Sequence, residues 1–167
     1  MKIATRNPEF TLKAAVEADV PLILSFIKGL ADYERLAHEV VATEPLLREY
    51  LFGRHPVAEV VIGYLTGEPV GFALFFHTFS TFLGRPGLYL EDLFIEPEFR
   101  GRGFGRLMLA YLARLAQARG CGRLEWSVLD WNEPAINFYQ ALGAEPLADW
   151  TMHRVTGEAL QRLAAEF

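Results

Sequence analysis

The sequence predicts a mixed α+β domain in which an antiparallel meander is followed by a β–α–β half. Three observations carry this. The middle of the chain holds three runs rich in β-branched and aromatic residues, Ala58–Tyr64, Val70–His77 and Leu88–Ile95, joined by short glycine- and proline-containing turns. Apolar residues recur at 3.6-residue spacing on either side of that block, and beyond it strand-like and helix-like stretches alternate. Hydrophobic residues are 51% of the 167 and charged residues 22%, enough apolar surface for one compact core, which excludes intrinsic disorder. Residues 1–167 therefore read as a single domain.

Phe10–Ala15 alternates and predicts an opening strand. Asp19 stands as an N-cap, Pro21 falls in the first helical turn, and Ile23, Phe26, Ile27 and Leu30 carry a helix to Tyr33 or Glu34. Thr43-Glu44-Pro45 opens a second, short helix over Leu46–Leu51. Thr66-Gly67-Glu68-Pro69 and Gly84-Arg85-Pro86-Gly87 are the turns of the meander. Gly101 to Gly105 leads into a helix that reaches Arg119, with Met108, Tyr111, Leu112 and Leu115 on one face and Gly120 closing it. Arg123–Leu129 predicts a strand, Glu133–Leu142 a helix stopped by Gly143, Trp150–Val155 a last strand, and Gly157–Ala165 a terminal helix.

The net charge of −5 gives no field that would gather a polyanion, so a nucleic-acid partner is not expected and a cationic substrate is favoured. The lone Cys121 makes neither an internal disulfide nor a multi-cysteine metal site, and His38, His55, His77 and His153 show no metal-ligand spacing, so no metal is expected. No apolar run approaches the roughly 20 residues of a membrane span, and the amino terminus lacks a signal-peptide core. The expected setting is the cytoplasm, without a membrane partner.

The most informative segment is Arg100-Gly101-Arg102-Gly103-Phe104-Gly105-Arg106, between a strand and a long helix. Alternate glycines let the backbone approach a ligand closely, and the helix amino terminus behind them offers unpaired N–H groups and about half a positive charge. With three arginines, this is an anion site suited to a pyrophosphate. It is not a dinucleotide fingerprint, because the spacing is G-x-G-x-G with Arg106 in place of the last glycine, and no Gly-Lys-Ser/Thr follows to make a P-loop.

Arg-x-x-Gly-x-Gly after Phe94-Ile95-Glu96-Pro97 resembles the coenzyme A pyrophosphate loop of the GNAT acetyltransferase superfamily, and the order of elements is similar too. Leu30-Ala31-Asp32-Tyr33-Glu34, Tyr89-Leu90-Glu91-Asp92 and Leu129 to Tyr139 bring the resemblance closer to the diamine acetyltransferases, the spermidine/spermine group and its thialysine-acetylating relatives. The resemblance implies a central, mostly antiparallel sheet of six or seven strands, splayed in the middle and flanked by helices. It also implies acetyl-CoA as co-substrate, a small-molecule amine as acceptor, and a homodimer.

Carried over residue by residue, it implies that Leu93, Phe94 and Ile95, the loop Arg100 to Arg106, and Asn132 with Ala135 contact the cofactor. An amine attacks a thioester only when neutral, so the site must collect a cation and then remove its proton. Glu91 is the expected base, acting directly or through a water. Plain strand alternation puts Tyr89, Glu91, Leu93 and Ile95 on one face and Leu90, Asp92 and Phe94 on the other, so Glu91 and Asp92 share a pocket only if a bulge intervenes. Tyr139, two helical turns after Asn132, is the expected acid for the departing sulfur, and a backbone N–H near Leu93 or Phe94 would meet the oxyanion. Tyr33, Glu34, Phe82, Glu91, Asp92 and Asp149 are the expected amine-site residues. Ser80-Thr81 stands where polyamine acetylators tend to carry an acidic residue, as in the thialysine-preferring branch. Acetylation of another amine, such as a protein amino terminus or an aminoglycoside, and non-catalytic acyl-CoA sensing are the alternatives.

Overall fold

The computed structural model describes residues 2–167 and divides the chain into two compact units, one ending at Ser127 and the other running from Val128 to Phe167. The first unit is built on a six-stranded sheet whose spatial order is its chain order: β1 (Lys2–Ala4), β2 (Phe10–Ala14), β3 (Glu59–Leu65), β4 (Glu68–Ser80), β5 (Arg85–Ile95) and β6 (Leu124–Trp126). Neighbours are antiparallel except β5 and β6. The exception follows from connectivity, since helix α3 (Phe104–Ala118) lies between β5 and β6 and supplies the crossover that a parallel pair requires. Hairpins join β3 to β4 and β4 to β5; in the first, Thr66 and Gly67 form a two-residue loop at φ 49° and 99°, the backbone that matches strand twist.

Helices α1 (Val20–Tyr33) and α2 (Glu44–Phe52) cover one face of the sheet. There Ile23 and Phe26 of α1 and Leu51 of α2 pack with Val60, Ile62, Phe72 and Phe94. The adjacent position Gly63 points the other way, where a Cβ would meet the Phe10 ring and the Met108 sulfur, so α3 covers the opposite face. Phe10 stacks on Phe104 there at 4.4 Å between centroids. On the first face Gly29 brings α1 close to β5: a Cβ at that position would lie 2.9 Å from the Phe94 ring.

α1 ends in a Schellman motif. Leu36 N–H donates to the Ala31 carbonyl at 2.8 Å and Arg35 N–H to Asp32 at 3.1 Å, with Arg35 at φ +63° in the place glycine usually takes. A side chain in that conformation costs about 1 kcal/mol or more. The amino end differs from expectation. Asp19 does not cap α1 with its side chain; its Oδ2 accepts the Val16 N–H at 2.9 Å and closes the 3₁₀ turn Glu17–Asp19 that precedes the helix. Thr43 caps α2 through the Leu46 N–H, and Gly120, at φ +69°, follows the end of α3 as predicted.

Four strands differ from the sequence reading. β1 is additional: Lys2–Ala4 pairs with β2, too short a run for periodicity to reveal. β4 and β5 are longer than predicted, so their turn falls at Thr81–Gly84 and Arg85 to Gly87 belong to the ladder. β6 shrinks to three residues of the predicted Arg123–Leu129. Its pairing with β5 covers only Leu88–Leu90, so the ladder on that edge of β5 stops before Glu91.

The second unit contains α4 (Glu133–Gln140) and α5 (Gly157–Ala164). The predicted strand Trp150–Val155 is absent: the segment has no ladder partner among the described residues, and Trp150 and Met152 are exposed. Alternation alone cannot supply the neighbouring edge that a strand needs.

Candidate active site

The strand that carries the expected catalytic carboxylate is bulged at that residue. Asp92 faces Leu74 across the β4–β5 ladder, the next pair is Phe75 with Leu90, and Glu91 is left over. Leu90 and Leu93 therefore share the α3 face although three residues apart, while Asp92 lies with Leu74 and Phe94 on the α1 face. Simple alternation, which separates Glu91 from Asp92, is thus corrected by an extra residue.

Asp92 is mostly withdrawn from solvent, and its carboxyl is pushed up to about 6, first by burial and then by the charges of Glu91 and Glu34. Glu34 reaches it from the end of α1, where its own carboxyl is raised by burial. Glu91 is exposed. The charged groups that raise Asp92 are both acidic, Glu91 and Glu34. Such a cluster attracts a cation and disposes one carboxyl to hold a proton near neutral pH.

Beyond the bulge, Leu93, Phe94 and Ile95 lie on the part of β5 whose β6-side edge has no ladder partner among the described residues. The chain then turns through Pro97–Phe99 into the glycine loop. Gly101 and Gly103 have φ +72° and +81°, and Gly103 is the N-cap residue of α3. A Cβ at Gly101, Gly103 or Gly105 would meet nothing within 4 Å, so packing within the protein does not explain these glycines. Gly105 sits inside the first turn of α3, where glycine costs roughly 1 kcal/mol relative to alanine. Positive φ accounts for Gly101 and Gly103, and close approach of an outside ligand accounts for Gly105.

The arginines of the loop are not equivalent. Arg100 donates from Nε to the Ile95 carbonyl at 2.9 Å, and its guanidinium lies 4.4 Å over the Tyr33 ring. The Arg102 guanidinium lies 5.1 Å over Phe104, the first residue of α3, and Arg106 is exposed one turn into that helix. The sequence spacing offers all three alike as phosphate ligands and carries no signal for the engagement of Arg100 with the end of α1.

Asn132, Ala135, Tyr139 and Asp149 belong to the second unit. Asn132 caps α4, its Oδ1 accepting the Ala135 N–H at 3.4 Å, and Tyr139 follows two turns later on the same side, its ring 5.3 Å from that of Phe138. Asp149 is exposed in a turn. Phe82 is not brought to the carboxylates: it is 96% exposed at the tip of the β4–β5 hairpin, and the strand from Arg85 to Glu91 alone spans about 20 Å. No group of acidic, histidine and cysteine side chains that could hold a metal ion occurs among the described residues. No helix among them is long and apolar enough to cross a membrane.

A sheet that opens beside a glycine-loop helix, next to a carboxylate-bearing strand, defines a group-transfer enzyme that takes its group from a phosphate-bearing carrier. The chain belongs to the acetyltransferase (GNAT) family, whose model matches residues 27–144. Enzymes of this family use acetyl-CoA as co-substrate. Similar proteins include a thialysine N-epsilon-acetyltransferase of Bos taurus, 37% identical over 93% of this chain and 97% of that one. An L-ornithine N5-acetyltransferase of Arabidopsis thaliana is 33% identical over 91% of this chain and 86% of its own length. Among solved structures, an integron cassette protein from the mobile metagenome of V. cholerae has a TM-score of 0.78 at 27% identity, covering 93% of this chain and 98% of that one.

Proposed function

We propose that the protein moves the acetyl group of acetyl-CoA directly to a primary amine of a small diamine, polyamine or thialysine-like substrate. The observation that carries this reading is the Glu34–Glu91–Asp92 cluster, three carboxylates of which two raise the half-buried Asp92. A protonated diamine or amino acid side chain supplies the missing positive charge. The thialysine and ornithine acetyltransferases found among its relatives support an acceptor with an amine on a short, flexible stem.

In this reading the pyrophosphate lies against the backbone of Gly101, Gly103 and Gly105 and the amino end of α3, with Arg102, Phe104 and Arg106 around it. The pantetheine arm follows the open edge of β5 along Leu93, Phe94 and Ile95 as an added strand, with Asn132 and Ala135 contributing from α4. Tyr33 and Glu34 bind the distal end of the acceptor, together with Asp149. Asp92, rather than the expected Glu91, receives the proton of the reacting ammonium, and Glu91, at the bulge and open to water, passes it to solvent. The neutral nitrogen attacks the thioester carbon, a β5 N–H near Leu93 or Phe94 meets the oxyanion, the C–S bond breaks as Tyr139 protonates the departing sulfur, and the nitrogen's second proton returns through solvent to the tyrosinate, leaving the neutral amide.

The assembly expected from the resemblance is a homodimer, in which the exposed Phe82 at its hairpin tip is free to meet a second copy. The family match, which runs through both units, supports one catalytic domain over 1–167, and a cytoplasmic setting suits the small-molecule substrates. Incubation with acetyl-CoA and single amines, with mass detection of the acetylated product, tests the reading. Product on thialysine, ornithine or a short diamine is the expected result, and no product on any amine contradicts it.

A further inference from the structure

We propose that Arg100 is a positioning residue for the amine site and not a ligand of the cofactor phosphates, an inference that rests on the amine-acetylation reading above. Its guanidinium is already engaged within the protein. Nε donates to the carbonyl of Ile95, the last residue of β5, at 2.9 Å. That bond turns the planar group toward α1, where it lies 4.4 Å over the Tyr33 ring and 5.5 Å from that of Phe94. Arginine suits both contacts at once, because its fork donates in plane while its face stacks on an aromatic ring.

The link adds a direct tie between the glycine loop and the end of α1, beside the packing of Gly29 and Phe26 on Phe94. Arg100 opens the glycine loop, and Tyr33 is the last residue of α1, immediately before Glu34. Past Glu34 the backbone passes through Arg35 at φ +63°, a strained conformation that surrounding contacts must hold in place. An anchor on Tyr33 fixes the residue beside the Glu34 carboxylate and so fixes where that carboxylate meets the acceptor. Its charge is also felt at the end of β5, where Arg100 lowers Glu96 against the raising effects of burial and Glu98.

Two expectations separate this role from phosphate binding. Arg100→Met keeps the apolar stem and loses the donor and the planar face; it should raise the KM for the amine roughly three- to tenfold, the size of one cation–π contact and one hydrogen bond, with the KM for acetyl-CoA within about twofold of wild type. Arg100→Lys keeps the charge but not the face, so it should fail to restore the amine KM, whereas a phosphate ligand would be largely rescued by lysine. Steady-state kinetics of both variants and of the double variant with Tyr33→Ala test this, beside hydrogen exchange across residues 30–40. Non-additive amine KM effects and faster exchange at 33–36 in Arg100→Met are the expected results. A larger rise in the acetyl-CoA KM than in the amine KM, additive effects, or unchanged kinetics overturn the proposal. Wild-type protein that acetylates no amine removes both the functional reading and this role; loss of the role alone shows as an active wild type with an unaltered amine KM in Arg100→Met.

Discussion

Asp92 faces Leu74 in the β4–β5 ladder, one step out of phase with the Phe75–Leu90 pair beside it. That slip leaves Glu91 over beside Asp92, whose carboxyl the charge of Glu34 at the end of α1 also reaches, and it falls where the ladder to β6 stops. A β-bulge is a common way to re-aim side chains next to a reacting centre. Here it creates the charge cluster on which the amine reading depends.

The pH dependence should reveal that cluster. Asp92 is held at about 6 by burial, Glu91 and Glu34, and it accepts a proton only when ionised. The kcat/KM for the amine should therefore fall as pH drops through about 6. Glu34→Gln removes one of the two charges that raise Asp92, so it should move this acid limb to lower pH as well as raising the amine KM. A pH profile of both proteins checks this, and an unmoved limb in Glu34→Gln argues against the coupling.

The same group makes a prediction about stability. Its pKa is higher folded than unfolded, so its contribution favours the native state at low pH and is lost as pH rises through about 6. Asp92→Asn should therefore stabilise the protein at pH 8, by up to about 2–3 kcal/mol, and the difference should shrink toward pH 4. Denaturant midpoints at the two pH values measure it; a variant less stable than wild type at pH 8 contradicts the assignment.

Glycine positions offer a contrast between packing and ligand approach. Gly29→Ala brings a Cβ to 2.9 Å from the Phe94 ring, so it should cost about 1–3 kcal/mol despite the better helix propensity of alanine. At Gly105 a Cβ meets only open space, so Gly105→Ala should raise the melting temperature while weakening acetyl-CoA binding. Calorimetric titration with coenzyme A alongside thermal unfolding tests both; undiminished binding by Gly105→Ala means the phosphate does not approach that backbone.

How much of the fold and site is legible in the sequence depends on how local each signal is. The helices α1, α2, α3 and α4 and the three long strands are readable because apolar spacing, proline at helix starts and glycine at turns are written within a few residues. β1 and the absent strand at 150–155 are not, since strand formation depends on a partner edge elsewhere in the chain. The bulge does leave a mark: Leu88 and Leu90 keep a period of two, but the next leucine on that face is Leu93, after two polar residues in a row. The anion loop and the acidic residues are readable as types, whereas the turn of Arg100 toward Tyr33 and the isolation of Phe82 on a hairpin tip are tertiary facts with no local signature.

Tyr139 stands on the helix that Asn132 caps, and its proposed role is to protonate the departing sulfur. Tyr139→Phe should lower kcat on the order of 10²-fold or more, the scale of a lost general acid, while the dissociation constant for acetyl-CoA stays near that of wild type. Single-turnover kinetics with separate measurement of binding distinguish the two, and an undiminished kcat excludes Tyr139 as the acid.

The central claim is that the carboxylate trio selects a cationic amine as acetyl acceptor. Its most direct test is thiol release from acetyl-CoA with thialysine, ornithine, putrescine and spermidine in parallel, each with wild type and with a Glu34→Gln, Asp92→Asn double variant. The expected result is turnover by wild type on at least one short-stemmed amine, with kcat/KM for that amine falling by about 10²-fold or more in the double variant, the scale of two lost charge contacts at the acceptor. Equal turnover by the two proteins, or thiol release that does not depend on the amine, would contradict it.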